Sequence, residues 1–137
     1  MRKTPIVALI YDFDGTLSPG NMQEFGFIQA LGKSPEEFWT MSDDIAKGQD
    51  ASNILSYMKL MFDEAAKSGM HLKRSKFKSF GRSIELFEGV RDWFRLINEY
   101  GKNHGVTIEH YINSSGLAEM IEGTPIAKEF KRIFACS

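Results

Sequence analysis

Ile6-Val7-Ala8-Leu9-Ile10-Tyr11 runs directly into Asp12-Phe13-Asp14-Gly15-Thr16-Leu17, and the junction between the two halves decides how the chain reads. Six successive apolar or aromatic residues fit a strand buried on both faces, as central strands of parallel sheets are. Along an extended chain, residues i and i+2 point the same way. Asp12 and Asp14 are therefore expected to present two carboxylates together where the strand gives out, with Phe13 on the opposite side. Ligands collect at the carboxyl ends of strands in open α/β sheets, and Gly15 permits a sharp turn just there. Two like charges side by side do nothing for stability, so function is the better explanation of them.

Composition sets the outer limits. The chain has 137 residues, 42% hydrophobic and 26% charged, enough to bury a core. Seventeen basic residues against eighteen acidic ones give a formal charge of −1. That balance supplies no global attraction to nucleic acid or to an anionic membrane, so neither is expected as a partner. Cys136 is the single cysteine, which excludes an intrachain disulfide and suits a reducing compartment. Arg2 and Lys3 before the apolar run faintly suggest a signal peptide, but the run is too short and ends in Asp12. No stretch reaches the ~18 apolar residues of a membrane span. A cytoplasmic location is the expectation.

Between Ser18 and Leu86 the sequence holds no convincing strand. Phe25, Ile28 and Leu31 recur on a short helix that Gly32 can end. Ser34-Pro35-Glu36-Glu37 is a helix start with Ser34 as N-cap and Pro35 at the first helical position. Phe38, Met41 and Ile45 point inward from that helix, which is expected to stop at Lys47-Gly48. Asp50 can cap a third helix carrying Ile54, Tyr57, Met58, Met61 and Ala65 on one face. A fourth covers Ser75 to Phe80. After Gly89 the pattern changes. Val90, Trp93, Phe94, Ile97 and Tyr100 mark an amphipathic helix ending at Gly101. Val106 to Asn113 alternates as a strand and gives way to a Ser114-Ser115-Gly116 turn leading into a short helix. Thr124-Pro125 is expected to start another helix through Phe130, and Ile133 to Ser137 reads as a third strand. Strands separated by helices imply a parallel sheet. The fold class expected is α/β: a Rossmann-like parallel sheet of about three strands, formed by residues 1–17 and 87–137, with a helical bundle of residues 18–86 inserted as a second unit.

An apolar strand ending in Asp-Phe-Asp-Gly-Thr-Leu resembles the first signature of the haloacid dehalogenase-like hydrolase superfamily, most of whose members are phosphatases. The resemblance implies that Asp12 is the nucleophile that forms an aspartyl-phosphate, and that Asp14 is the acid/base. Mg²⁺ would sit on the Asp12 carboxylate and the Asp14 backbone carbonyl, a choice that suits a hard ion. A proton on the second acid at neutral pH is favoured by a site crowded with negative charge. By the same resemblance, Ser114, after the second strand, would hold a phosphate oxygen. Ser115, Gly116 and Gly15 would line the phosphate, with the N–H groups leading into the following helix facing the anion. The 18–86 insert takes the place of the superfamily's helical cap.

Asp14 favours phosphoryl transfer over dehalogenation, because dehalogenases of the superfamily lack that second aspartate. The strand-end Ser-Ser-Gly resembles phosphoserine phosphatases, but their motif has Ser where Gly15 stands and a Glu where Asn21 stands; Glu24 is the nearest acid. The resemblance also implies a Lys after a third strand and paired acids after a fourth. No Asp follows Asp92, and Lys128 and Lys131 precede the third strand, so the chain is expected to be the N-terminal part of an enzyme. The expected function is Mg²⁺-dependent hydrolysis of a small phosphorylated metabolite, with this chain weak or inactive. The alternatives are a non-catalytic fragment or phosphate-binding module of the same fold, or a phosphomutase. An apolar first strand without far-side neighbours is expected to associate through its edge, as a homo-oligomer. His71, His104 and His110 share no metal-ligand spacing. The basic cluster Lys73, Arg74, Lys76, Lys78 and Arg82 is a solvated helix face or, on the sharper reading, draws an anionic substrate.

Overall fold

The computed structural model describes residues 3–137; Met1 and Arg2, and with Arg2 half of the basic pair before the first strand, lie outside them. Three parallel strands, β1 (Ile6–Tyr11), β2 (Thr107–Leu117) and β3 (Arg132–Cys136), form one sheet in the order β1-β2-β3. The register aligns Leu9 with His110 and Tyr11 with Ile112, then Ile112 with Ile133. The α/β fold class and the three-strand parallel sheet are as expected from the sequence. The double-sided burial of β1 is not. As an edge strand among the described residues, β1 leaves Ile6 60% and Ile10 67% exposed.

One face of the sheet is covered and the other is open. On the covered face, Tyr11, His110 and Ile112 meet Phe94 of α5 (Val90–Asn103) and Phe130. Phe94 lies edge-on to Tyr11 at 5.8 Å and to Phe130 at 5.3 Å, the geometry that aromatic quadrupoles favour. His110 is a core residue with both nitrogens engaged, Nδ1 with the Tyr11 hydroxyl at 2.9 Å and Nε2 with Asn98 Oδ1 at 2.7 Å. Burial lowers its pKa, against the opposing field of Glu129. On the open face, Ala8, Ile10, Tyr111, Asn113 and Phe134 line a shallow depression.

The helices between β1 and α5 are α1 (Phe27–Ala30), α2 (Pro35–Gln49), α3 (Asn53–Lys67) and α4 (Arg74–Gly81). The Ser34 cap forms as the sequence predicts: Glu37 N–H donates to Ser34 Oγ at 3.2 Å, and Ser34 N–H donates to Glu37 Oε2 at 3.0 Å. Asp50 plays a different part from the one expected. It adopts a left-handed conformation (φ 48°) that closes α2, and Ser52 caps α3 instead, accepting from Ile54 N–H at 3.2 Å. The short helix expected to carry Phe25, Ile28 and Leu31 is shorter still: Phe25 closes a separate 3₁₀ turn, Met22–Glu24, and Leu31 is the C-cap of α1. Gly101 lies inside α5, which runs on to Asn103.

Beyond β2, α6 (Ala118–Glu122) is followed only by a 3₁₀ turn, Ala127–Glu129, where a helix from Thr124 was expected. The Thr124 hydroxyl donates backwards to the Ile121 carbonyl at 2.7 Å, closing α6 and not opening a new helix. α4 packs on α6 through two glycines. A Cβ added to Gly81 would sit 2.0 Å from the Met120 carbonyl oxygen, and one added to Gly123 would sit 2.0 Å from that of Lys78. Among the described residues, no helix is long and apolar enough to cross a membrane.

Candidate active site

At the end of β1 the chain winds into a tight loop anchored by Phe13, which is fully buried. Its carbonyl accepts from the N–H groups of Thr16 (3.1 Å), Leu17 (2.9 Å) and Ser18 (3.3 Å), and Gly15 N–H returns to the Ser18 carbonyl at 2.7 Å. Gly15 holds φ at +76°, a conformation that side chains resist. The loop is tied to the segment before α5 by Phe87 N–H, which donates to the Leu17 carbonyl at 3.0 Å. The burial of Phe13 leaves its two neighbours directed away from the core. Asp12 is exposed, and among the described residues its Oδ1 accepts only the adjacent Phe13 N–H, at 2.7 Å.

Asp14 is half-buried, and its Oδ1 accepts from Met22 N–H at 2.9 Å. Its pKa is pushed up to about 6, first by burial; the Met22 hydrogen bond opposes the rise, and the negative charges of Asp12 and Glu24 add to it. Glu24 is held beside the loop by Trp39 Nε1 (2.6 Å) and Asn21 Nδ2 (3.0 Å), both donating to Oε1. Asp14 can thus keep a proton at a pH where an ordinary aspartate has lost it.

The second segment departs from its expected form. β2 does not stop at Asn113: the ladder resumes at Leu117, paired with Cys136, so that Ser114, Ser115 and Gly116 bulge opposite Ala135 alone. The N–H groups expected to face an anion at a helix start are engaged here. Gly116 N–H donates to Ser114 Oγ at 3.0 Å, and Leu117 N–H to Met22 Sδ at 3.2 Å. The helix that follows, α6, has only five residues. The Ser114 hydroxyl still has its own proton to donate, and Ser115 is exposed.

Met22 joins the two segments, with its N–H on Asp14 and its thioether against Gly116, where an added Cβ would lie 2.1 Å from Met22 Cε. Parallel register puts Asp12 and Asn113, each following the paired Tyr11 and Ile112, at the same end of the sheet. Tyr57 of α3 adds a third element: its hydroxyl donates to the Ser115 carbonyl at 2.6 Å. Burial, with Cys136 and Asp14 nearby, raises its pKa strongly. Tyr57 escapes sequence reading because it lies in an apolar stripe where nothing separates a contact to the site from core filling, and Met22 because a lone methionine in the polar stretch Asn21–Glu24 announces no partner.

The donors that the sequence resemblance implies for a metal ion, the Asp12 carboxylate and the Asp14 carbonyl, both lie at the end of β1. Among the described residues no three of His, Cys, Asp and Glu gather into a metal-holding group. Two oxygens make a partial set, compatible with an ion that takes its other ligands from water and substrate.

No family model matches the chain. An uncharacterized protein of Borreliella burgdorferi is 33% identical over an alignment 147 positions long, gaps included, which covers 96% of this chain and 49% of that protein. The chain therefore spans about half the length of the curated relative it matches. Among solved structures, a phospho-aspartyl intermediate analogue of phosphoserine phosphatase aligns at 18% identity and a TM-score of 0.59, over 98% of this chain and 56% of the other. An L-2-haloacid dehalogenase from Xanthobacter autotrophicus aligns at 12% identity and a TM-score of 0.48, over 95% and 56%. The likeness to phosphoserine phosphatase is one of fold, a Rossmann-like α/β arrangement whose parallel sheet has three strands among the described residues.

Proposed function

We propose that the chain carries the nucleophile and the acid/base of a hydrolase acting on a small phosphate monoester. The observation that supports this most is the unequal pair at the end of β1, an exposed Asp12 beside an Asp14 whose pKa is raised to about 6. The exposed carboxylate is free to attack, and the half-buried one can hold a proton. In the first step an Asp12 oxygen bonds to phosphorus as the ester P–O bond breaks, and Asp14 gives its proton to the departing oxygen. In the second, water attacks phosphorus, Asp14 takes its proton, and the Asp12–phosphorus bond breaks to release inorganic phosphate. Ser114 would hold a non-transferring oxygen. Mg²⁺, on the Asp12 carboxylate and the Asp14 carbonyl, would offset the phosphate charge. Residues 18–86 act as a cap over this site.

The test is turnover of an aryl phosphate with Mg²⁺ by the full-length protein. Asp12→Asn should abolish it, because an amide cannot serve as the nucleophile. Asp14→Asn should slow it greatly while leaving binding of a phosphate analogue largely intact. Near-wild-type activity in Asp12→Asn would overturn the covalent mechanism. Phosphate binding with no turnover in the wild-type protein would favour a binding module.

A further inference from the structure

A cavity of about 230 Å³ lies between α3, α4 and the carboxyl ends of β2 and β3. Its walls are apolar: Met58 and Met61 from α3, Leu72 from the connection, Phe77 from α4 and Leu117 at the end of β2. Lys73 and Arg74 stand with Glu119 and Ser137 at its polar margin. That margin is partly self-satisfied. Ser137 Oγ donates to Glu119 Oε1 at 2.8 Å, and Arg74 Nη2 donates to Ser137 Oγ at 3.2 Å. Lys73 forms no ion pair among the described residues, which leaves a cation at an apolar opening.

The cavity adjoins the proposed phosphate site. Leu117 follows the Ser114–Gly116 bulge directly, and its N–H donates to Met22 Sδ, whose own N–H is on Asp14. Met61 lies one helical turn beyond Tyr57, whose hydroxyl is on the Ser115 carbonyl. A phosphate held at the bulge would therefore have this cavity beside it. The charged groups are confined to the margin, where Arg74 and Glu119 already face each other at 3.6 Å and share Ser137, so the walls themselves are left apolar. They suit a short alkyl chain or a single ring, and adaptable methionines suit such a guest.

We infer that this cavity receives the non-phosphate body of the substrate, and that the body is apolar, so that the ligand is an alkyl or aryl phosphate. The inference rests on the phosphate-site reading above, and the test separates the two. The full-length protein, labelled with ¹³C at its methionine methyl groups, is titrated with Mg²⁺ and inorganic phosphate, then with alkyl phosphates from methyl to hexyl. Met22 reports on the bulge, and Met58 and Met61 report on the cavity. Hexyl phosphate should shift all three, while inorganic phosphate shifts Met22 alone. Affinity should rise by up to about fourfold per methylene taken up. Leu72→Trp, which fills the cavity, should erase the gain from chain length and leave methyl phosphate binding unchanged. If that variant fails to fold, Met58→Glu, placing a like charge on the wall, should do the same. A response of Met22 with Met58 and Met61 silent, or an affinity independent of chain length, would overturn the inference and leave the phosphate site standing. Met58 and Met61 responding equally to hexanol, with Met22 silent throughout, would overturn both.

Discussion

The carboxyl ends of β1 and β2 solve the same problem in opposite ways. At the end of β1, seven residues fold onto one buried ring: Phe13 goes into the core, its carbonyl collects three N–H groups, Asp12 is left exposed and Asp14 half-buried. The conformation is set mainly by bonds within the loop, to which Phe87 N–H on the Leu17 carbonyl adds a tie from the segment before α5. The end of β2 is held from a distance. Its bulge keeps its shape through Ser114 Oγ, through the thioether of Met22 and through the hydroxyl of Tyr57, the latter two from residues 95 and 58 positions away from their partners. A loop that carries reacting groups can be self-contained, while one that receives a ligand is shaped by whatever is packed around it.

If this contrast is right, the β1 end should respond to charge and the β2 end to shape. The largest effect is expected at Asp14. Its folded pKa, about 6, lies above the ordinary value of 3.8, so the folded state holds the proton more tightly than the unfolded chain does. Between these values stability should fall as pH rises, and above the folded pKa the full cost of an ionised, half-buried carboxylate is present. Asp14→Asn should be the more stable protein at neutral pH by roughly 2–3 kcal/mol, a gain that vanishes below about pH 4. Chemical denaturation of both proteins across this range checks it; a difference independent of pH would show that Asp14 is not the strained group.

Gly116→Ala is the shape test. The new Cβ would meet Met22 Cε at 2.1 Å in a fully packed setting, since Met22 is 1% exposed. Repacking should cost about 1–3 kcal/mol, with little change in the pH profile. Equal stability of the variant in thermal unfolding would mean that Met22 does not clamp the bulge. The smallest effect is expected from Tyr57→Phe, which removes one hydrogen bond to the Ser115 carbonyl and keeps the ring; about 1 kcal/mol is expected from denaturant midpoints. No loss would detach α3 from the bulge.

The same contrast explains what the sequence could and could not tell. The Asp12–Leu17 loop is legible because its geometry follows from adjacent residues: an apolar run, a ring that must be buried, and a glycine that turns. The three parallel strands follow from their alternation with helices. Ser34-Pro35 was equally plain, its cap lying within four residues. The errors fall where a distant partner decides. Ile6–Tyr11 reads as a central strand because burial on both faces needs neighbours that a single strand cannot declare. Ser114–Gly116 reads as a loop because the bulge is recovered only when Leu117 pairs with Cys136. Thr124-Pro125 offers a helix start, and the hydroxyl instead serves the helix already made. Tyr57 is hidden for the same reason, one apolar residue among several on a helix face.

The two glycines where α4 meets α6 have a mechanical consequence. With no side chains between them, Gly81 and Gly123 bring two backbones so close that neither helix can rotate or slide without moving the other. The helical segment is thus divided into a part that travels with the sheet and a part that does not have to. α2 and α3 are held through side chains, which can change rotamer and re-pack; α4 is held through the main chain, which cannot. Compliance in this segment is therefore concentrated in the stretch from Gly69 to Lys73 that joins α3 to α4, and Leu72, on the wall of the cavity, is part of that joint.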